Sequence, residues 1–269
     1  RSELTRENGR VSFCYDTSWL ANPRALPLSL SLPLQVEIFN DTIAHPFFAN
    51  LLPESAIRSN IAKHLGISEK NDFAMLEKIG GECAGAISIY STGVKPNTSG
   101  SYSPLTEQTL DELLQKLPQR PLLAGETGIR LSLAGAQNKL PIYFDEKHFF
   151  LPLGDFASTH IIKPPLHNFP ASVSNEAFCM QLARALDLPV ADAFIFRNKT
   201  HFYYTRRFDR EEFVKGQVER LHQEDFCQAL SVMPEQKYEN EGGPSLQQCF
   251  NLLKTYSPQS GHDQLNLIH

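Results

Sequence analysis

Several things are scarce or missing in this chain, and each absence excludes something. Its five cysteines (Cys14, Cys83, Cys179, Cys227 and Cys249) are odd in number and scattered, with no C-x-x-C pair. Neither a zinc site nor a disulfide framework is suggested. Thiols spread in this way point to buried free cysteines and a reducing, cytoplasmic setting. No stretch approaches the ~18 apolar residues that a membrane span requires. No signal peptide is visible, and since the chain starts at Arg1 rather than at a methionine, its ends are expected to be cuts. An excess of positive charge is missing too: 25 Lys and Arg stand against 30 Asp and Glu, a net charge of −5. That balance advertises no nucleic-acid footprint over the whole chain, while leaving room for the one or two placed cations that a phosphate site needs. There is no internal repeat, no low-complexity tract, no Walker P-loop and no G-x-G-x-x-G.

What is present is a globular composition. Of 269 residues, 41% are hydrophobic and 20% charged, enough for one large domain or two ordinary ones with cores of their own. Residues 11–15 and 28–34 (L-S-L-S-L-P-L) alternate like strands. The apolar run 46–52 stops at Pro53. Ser55 can cap a helix to Leu65 that Gly66 ends, and Asp72 opens another that stops at Gly80-Gly81. Residues 85–90 read as a strand and 91–103 as a Gly/Ser/Pro/Asn loop. That loop and the amphipathic helix 106–117 mark a domain boundary.

From residue 129 the texture changes. Strands are expected at 129–133, 140–144, 148–151 and 159–163, then a helix over 174–186, then strands at 193–196 and 201–208. Helices are expected at 224–230, 245–255 and 264–269. Strands, one helix, two strands and then helices is the order of a protein-kinase small lobe entering its large lobe, although many α+β domains share it.

Three segments carry candidate chemistry. Ser132-Leu133-Ala134-Gly135-Ala136-Gln137-Asn138-Lys139 joins two expected strands. Its small side chains let backbone amides approach a polyanion, although by itself it also serves as an ordinary hairpin. Thr159-His160-Ile161-Ile162-Lys163 ends a β-branched run on a lysine, and Glu176 lies in the first turn of the next expected helix. A kinase needs such a lysine over the phosphates with a carboxylate to hold it; the plainer alternative is a lysine pointing into solvent. In Tyr203-Tyr204-Thr205-Arg206-Arg207-Phe208-Asp209-Arg210 an apolar strand becomes charged. Either it enters a hinge whose backbone meets an adenine edge while Phe208 covers the ring, or it leaves the core as a solvated Arg/Asp turn.

Together with L-S-L-S-L-P-L-Q (28–35), F-F-A-N-L-L-P-E (47–54), S-N-E (174–176), R-L-H-Q-E-D (220–225) and K-Y-E-N-E-G-G-P (237–244), these segments resemble the HipA family of bacterial serine/threonine toxin kinases, from residue 11 to about 255. The resemblance implies an α+β chain of three parts. These are an N-terminal accessory subdomain (1–104), an ATP-binding small lobe of antiparallel sheet and one helix (105–222), and the start of a helical large lobe (223–269). It implies a phosphate loop at Ala134, Gly135, Ala136, Gln137, Asn138 and Lys139, and an autophosphorylation site at Ser132. It also implies a phosphate-contacting Lys163 supported by Glu176, and an adenine hinge at Arg206, Arg207 and Phe208. Arg206 departs from the family pattern, in which an acid occupies that hinge position. Phe47 and Phe48 read as core residues of the accessory subdomain rather than partner anchors. ATP and Mg2+ are the implied cofactors. The implied partners are a HipB-like DNA-binding antitoxin and a translation-related protein substrate such as glutamyl-tRNA synthetase. The family's D-G-H-A-K-N segment and later Y-D pair, which orient the acceptor hydroxyl and hold magnesium, do not occur before His269. Gly261-His262-Asp263 lacks the downstream Asn. The chain by itself is therefore expected to bind nucleotide weakly and to transfer nothing. A non-catalytic nucleotide-sensing or antitoxin-binding module is the rival reading, and a small-molecule kinase a third.

Overall fold

An Asn-Gly pair starts the fold. In the computed structural model, which describes residues 2–96, 100–197, 199 and 201–268, Asn8 and Gly9 both take positive φ (50° and 81°). This is the geometry of a two-residue hairpin turn that matches strand twist. It joins β1 (Ser2–Glu7) to β2 (Arg10–Tyr15) in antiparallel register from Ser2↔Tyr15 to Glu7↔Arg10. Helices α1 (Thr17–Leu20) and α2 (Asp41–Ala49) follow. Phe13 meets Tyr15 edge-on at 4.9 Å and Phe48 at 5.5 Å between ring centroids. Phe47 and Phe48 are 0% and 4% exposed, so they are core residues.

Residues 28–34 are not a strand. Ser29 and Leu32 close a bridged turn on themselves. A carboxylate captures what a neighbouring strand would have taken: Leu30 N–H donates to Glu224 at 3.0 Å, while Ser31 Oγ donates to the Gln228 carbonyl at 2.8 Å. Pro33 offers no donor.

Contacts group the chain into two compact units: residues 1–51 with 224–269, and residues 52–223.

In residues 52–223, α3 (Ser55–Leu65) ends where Gly66 turns left-handed at φ 67°. Glu54 rather than Ser55 occupies its N-cap position. Asn71 caps α4 (Asp72–Ile79). The strand expected at 85–90 is absent because Gly85, at φ +71°, bends the chain back, so that Cys83 N bonds Ile87 O and Ile89 N bonds Gly80 O. The one expected at 129–133 reduces to a parallel bridge between Leu131 and Glu82.

Within the expected loop 91–103, residues 97–99 lie outside the described residues, and β3 (Ser101–Leu105) already begins at its end. After α5 (Glu107–Lys116), capped by Thr106, come β4 (Leu140–Phe144), β5 (Phe149–Leu153), β6 (His160–Lys163), α6 (Ser172–Ala185), β7 (Ala193–Phe196) and β8 (Phe202–Arg206). Six strands form one antiparallel sheet ordered β3-β5-β4-β6-β8-β7. Leu140, Ile142 and Ile162 are each 0% exposed in its core. Val173 and Ala177 of α6 pack on Tyr203 of β8. A separate hairpin, β9 (Arg210–Val214) with β10 (Gln217–Arg220), follows.

The last segment returns to the first unit. Capping boxes start α7 (Phe226–Ala229), at Asp225 with Gln228, and α8 (Leu246–Tyr256), at Ser245 with Gln248. Gln228 also donates to the Phe47 carbonyl at 3.0 Å. α9 (Ser260–Ile268) closes the described chain; of the helix expected at 264–269, His269 and the side chains from 265 on lie outside the described residues.

Candidate nucleotide site

Antiparallel pairing of β6 and β8 sets two ends of a surface. Lys163 pairs with Tyr203 at one end and His160 with Arg206 at the other, about 10 Å apart at strand rise.

At the first end, Lys163 Nζ donates to Glu176 Oε1 and lies 5.4 Å over the Tyr203 ring. Both partners remain partly open, with side chains 25% and 28% exposed. α6 begins at Ser172, earlier than expected, so Glu176 occupies the second turn rather than the first. The van der Waals seat of Val173 and Ala177 on Tyr203 fixes that turn over the lysine.

The loop before β4 reaches the same end. Gln137 Nε2 donates to the carbonyl of Pro164, the residue after Lys163, at 3.4 Å. Gly135 has φ +108°, a conformation open to glycine and strained for other residues. Its carbonyl accepts from Glu54 N–H at 3.4 Å, and Lys139 Nζ donates to the Ala134 carbonyl. Ala136 is exposed at the tip. Asn138 Oδ1 is buried without a hydrogen-bond partner, an arrangement that leaves an acceptor to be satisfied. Ser132, at the loop's base, is 0% exposed, and its N–H donates to the Glu82 carbonyl at 2.9 Å.

At the second end the three expected hinge residues have different environments. Phe208 is 75% exposed and Arg206 is exposed. Arg207 is 3% exposed. Its guanidinium turns inward, so at this hinge position only the backbone of Arg207 faces outward contacts, as the hinge reading expects of it. The buried guanidinium also excludes the alternative of a solvated Arg/Asp turn. The N–H groups of Arg206 and Arg207 already donate to Asp192 O and Thr159 O at 2.9 Å.

The interior into which Arg207 points holds a group of charges that the sequence did not reveal. Arg207 donates to both carboxylate oxygens of Asp209, at 2.8 and 2.7 Å. It also reaches Glu82 Oε1 at 3.3 Å, Ser158 Oγ at 3.1 Å and the Cys83 carbonyl at 3.2 Å. Arg210 reaches Glu82 Oε1 at 3.4 Å, and the Cys83 and Gly85 carbonyls at 3.0 Å. Two arginines and two carboxylates neutralise each other. Burial works against the Asp209 carboxylate, but the Arg207 guanidinium bonded to it holds its pKa below the ordinary value. Burial, then the neighbouring Arg207, pull Arg210 down to about 10, still charged at neutral pH. Burial pushes the adjacent Cys83 thiol up to about 12, so it is a packed, unreactive group. Only the R-R-F-D-R string hinted at such pairing; Glu82, 125 residues from Arg207, carried no signal.

Among the described residues, no group of three His, Cys, Asp or Glu side chains is placed to hold a metal ion, and no helix is long and apolar enough to cross a membrane.

Comparison with known proteins shows which family the chain resembles. The HipA-like C-terminal domain family matches residues 131–269, and the HipA N-terminal domain family matches residues 2–90. The protein named "Putative kinase Y4mE" from Sinorhizobium fredii is 44% identical over 267 residues, which cover 97% of this chain and 64% of that protein. The "Serine/threonine-protein kinase toxin HipA" of Shewanella oneidensis is 32% identical over 236 residues, which cover 85% of this chain and 52% of that protein. In the solved complex of HipA, HipB and operator DNA from Shewanella oneidensis MR-1, a chain matches with a TM-score of 0.79 at 28% identity; the match covers 94% of this chain and 62% of that one. The chain therefore spans 52% to 64% of the length of these relatives.

Proposed function

The chain belongs to the HipA family, and from that premise we propose that it forms the accessory region and nucleotide-gripping lobe of an ATP- and magnesium-dependent serine/threonine protein kinase in a toxin–antitoxin system. The observation that carries this reading is the Lys163–Glu176 pair beside a loop of small residues. A lysine ammonium held by a carboxylate is a fixed positive charge at the place where triphosphate oxygens would lie, and phosphoryl transfer rests on positioning and charge stabilisation.

In this reading the 134–139 loop covers the phosphates with its backbone, with Asn138 and Lys139 adding polar contacts, and Phe208 lies on the adenine ring. With no carboxylate cluster for magnesium among the described residues, no step is assigned to the metal from this chain. Because the amides of Arg206 and Arg207 are already engaged, adenine recognition rests on Phe208 and on carbonyl acceptors rather than on those donors.

Autophosphorylation falls on Ser132. Its hydroxyl is fully buried here, so the loop must leave its seat before the serine can receive a phosphate. A phosphate of about −2 charge would then keep the loop out and silence the enzyme. A HipB-like DNA-binding antitoxin is the proposed partner, by analogy with the complex of the Shewanella protein. A translation-related protein such as glutamyl-tRNA synthetase is the proposed substrate class, and the cytoplasm the proposed location.

The test is mass spectrometry of the complete protein after incubation with ATP and magnesium, with Lys163→Ala alongside. Phosphate on Ser132 that disappears in the variant supports the kinase. Tight nucleotide binding with no phosphate on any protein favours the sensing module instead.

A further inference from the structure

Glu82 belongs to none of the segments just assigned to nucleotide, yet three of them meet on it. Its backbone brackets the base of the phosphate loop: Glu82 N–H donates to Arg130 O at 2.8 Å, and Ser132 N–H donates to Glu82 O at 2.9 Å. Its side chain holds the lead into the lysine strand, because Oε1 accepts from Ser158 N at 2.8 Å and from Ser158 Oγ at 2.6 Å. Ser158 stands two residues before β6. The same oxygen faces Arg207 and Arg210 on either side of Phe208 and Asp209. Glu82, Ser132, Ser158, Arg207, Asp209 and Arg210 are each at most 4% exposed.

We infer that Glu82 is a positioning residue that sets the distance and angle between the adenine end of the site and its phosphate end. The inference rests on the nucleotide reading of the preceding section. The physical argument is one of over-determination. Phe208 itself is 75% exposed and stands between two buried residues, Arg207 and Asp209, so its place depends on those neighbours. Arg207 and Arg210 are clamped by Asp209 and Glu82, and Asp209 is fixed in turn by Gly85 N–H at 2.8 Å. Remove the Glu82 charge, and two buried guanidiniums share one carboxylate. Such an unbalanced buried charge drives the groups that carry it to move, and Phe208 moves with them. The backbone pairing of residue 82 with 130 and 132 does not involve the carboxylate, so the phosphate loop keeps its seat. Lys163 keeps Glu176.

This separation predicts a signature that general destabilisation does not produce. Glu82→Gln should weaken ATP binding by about tenfold while leaving inorganic tripolyphosphate, which has no base to place, bound as in the wild type. Ser158→Ala removes a single hydroxyl from the same oxygen without changing charge, and should give a smaller loss of about threefold for ATP alone. Restoring neutrality with Glu82→Gln/Arg210→Gln should recover part of the ATP affinity.

The experiment is calorimetric titration of the full chain and its variants with ATP and with tripolyphosphate, the fold being monitored by circular dichroism. ATP affinity unchanged in both single variants overturns the inference while leaving the nucleotide site intact. Equal losses for both ligands overturn it too, since they reduce Glu82 to a structural role. A wild-type chain that binds neither ligand removes the nucleotide site itself, and the inference with it. Should Glu82→Gln fail to fold, the Ser158→Ala ratio of the two affinities decides by itself.

Discussion

Lys163 on β6 donates its ammonium hydrogen to Oε1 of Glu176 on α6, 13 residues further along the chain. The pair lies at a half-open position, and half-open ion pairs contribute little to stability, about 0–1 kcal/mol. Its worth is therefore in placement. Lys163→Met is expected to leave the thermal midpoint within a few degrees while cutting triphosphate affinity by about tenfold or more. Glu176→Gln should give the same pattern more weakly. Titration and a melting curve on the same sample check both; a large drop in melting temperature with unchanged affinity contradicts it.

Arg207 should behave in the opposite way. Its guanidinium is buried between Glu82 and Asp209. Arg207→Met leaves two buried carboxylates to share Arg210 and should cost about 3–5 kcal/mol of unfolding free energy, read from urea denaturation. A loss below 1 kcal/mol would mean that the cluster is solvated.

Phe208 gives a control. It is 75% exposed, so Phe208→Ala should change stability by less than about 0.5 kcal/mol. Its loss should be confined to nucleotide binding, with a several-fold rise in the ATP dissociation constant. An unchanged constant would remove the residue from the adenine site.

Gly135 tests the loop. At φ +108°, with an added Cβ 2.6 Å from Lys139 Nζ, an alanine is strained in its backbone and displaces the lysine from the Ala134 carbonyl. The lysine end can swing aside, so the backbone strain dominates, at about 1–2 kcal/mol. Gly135→Ala should lower both stability and phosphate affinity, measured by melting and by tripolyphosphate titration.

His160 makes stability depend on pH. Burial, then the charge of Arg206, pull its pKa from 6.5 down to about 4. The unfolded chain therefore binds a proton that the native state refuses between those two values, and stability falls as pH drops from about 6.5 to 4. The loss attributable to this residue is about 2–3 kcal/mol. In His160→Asn the melting temperature should decline less steeply over that window; an equally steep decline assigns the effect to other groups.

Much of the sheet was legible. The run L-P-I-Y-F gave β4 and A-F-I-F gave β7 with the bounds observed, because aromatic and branched residues bounded by charges and turn formers leave few alternatives. The lysine strand and its helix were legible as well; spacing set Lys163 and Glu176 as candidates, and the family resemblance chose their pairing over a lysine in solvent. The failures share a cause. Residues 28–34 alternate like a strand, but Glu224 from the far end of the sequence takes the Leu30 amide, and periodicity carries no trace of such a partner. Strands β9 and β10, rich in Glu and Arg, escaped notice because exposed hairpins need little apolar patterning. The buried charges around Glu82 were illegible for the same reason as residue 28's turn: Arg207 and Asp209 look like surface residues until Glu82 and Ser158 are folded onto them.

The measurement that bears most directly on the nucleotide lobe is titration of this chain with ATP, alongside Lys163→Met. The account predicts saturable, weak binding by the wild type that the variant loses by about tenfold while it remains folded. Binding of equal strength in both proteins, or none in the wild type, would contradict it.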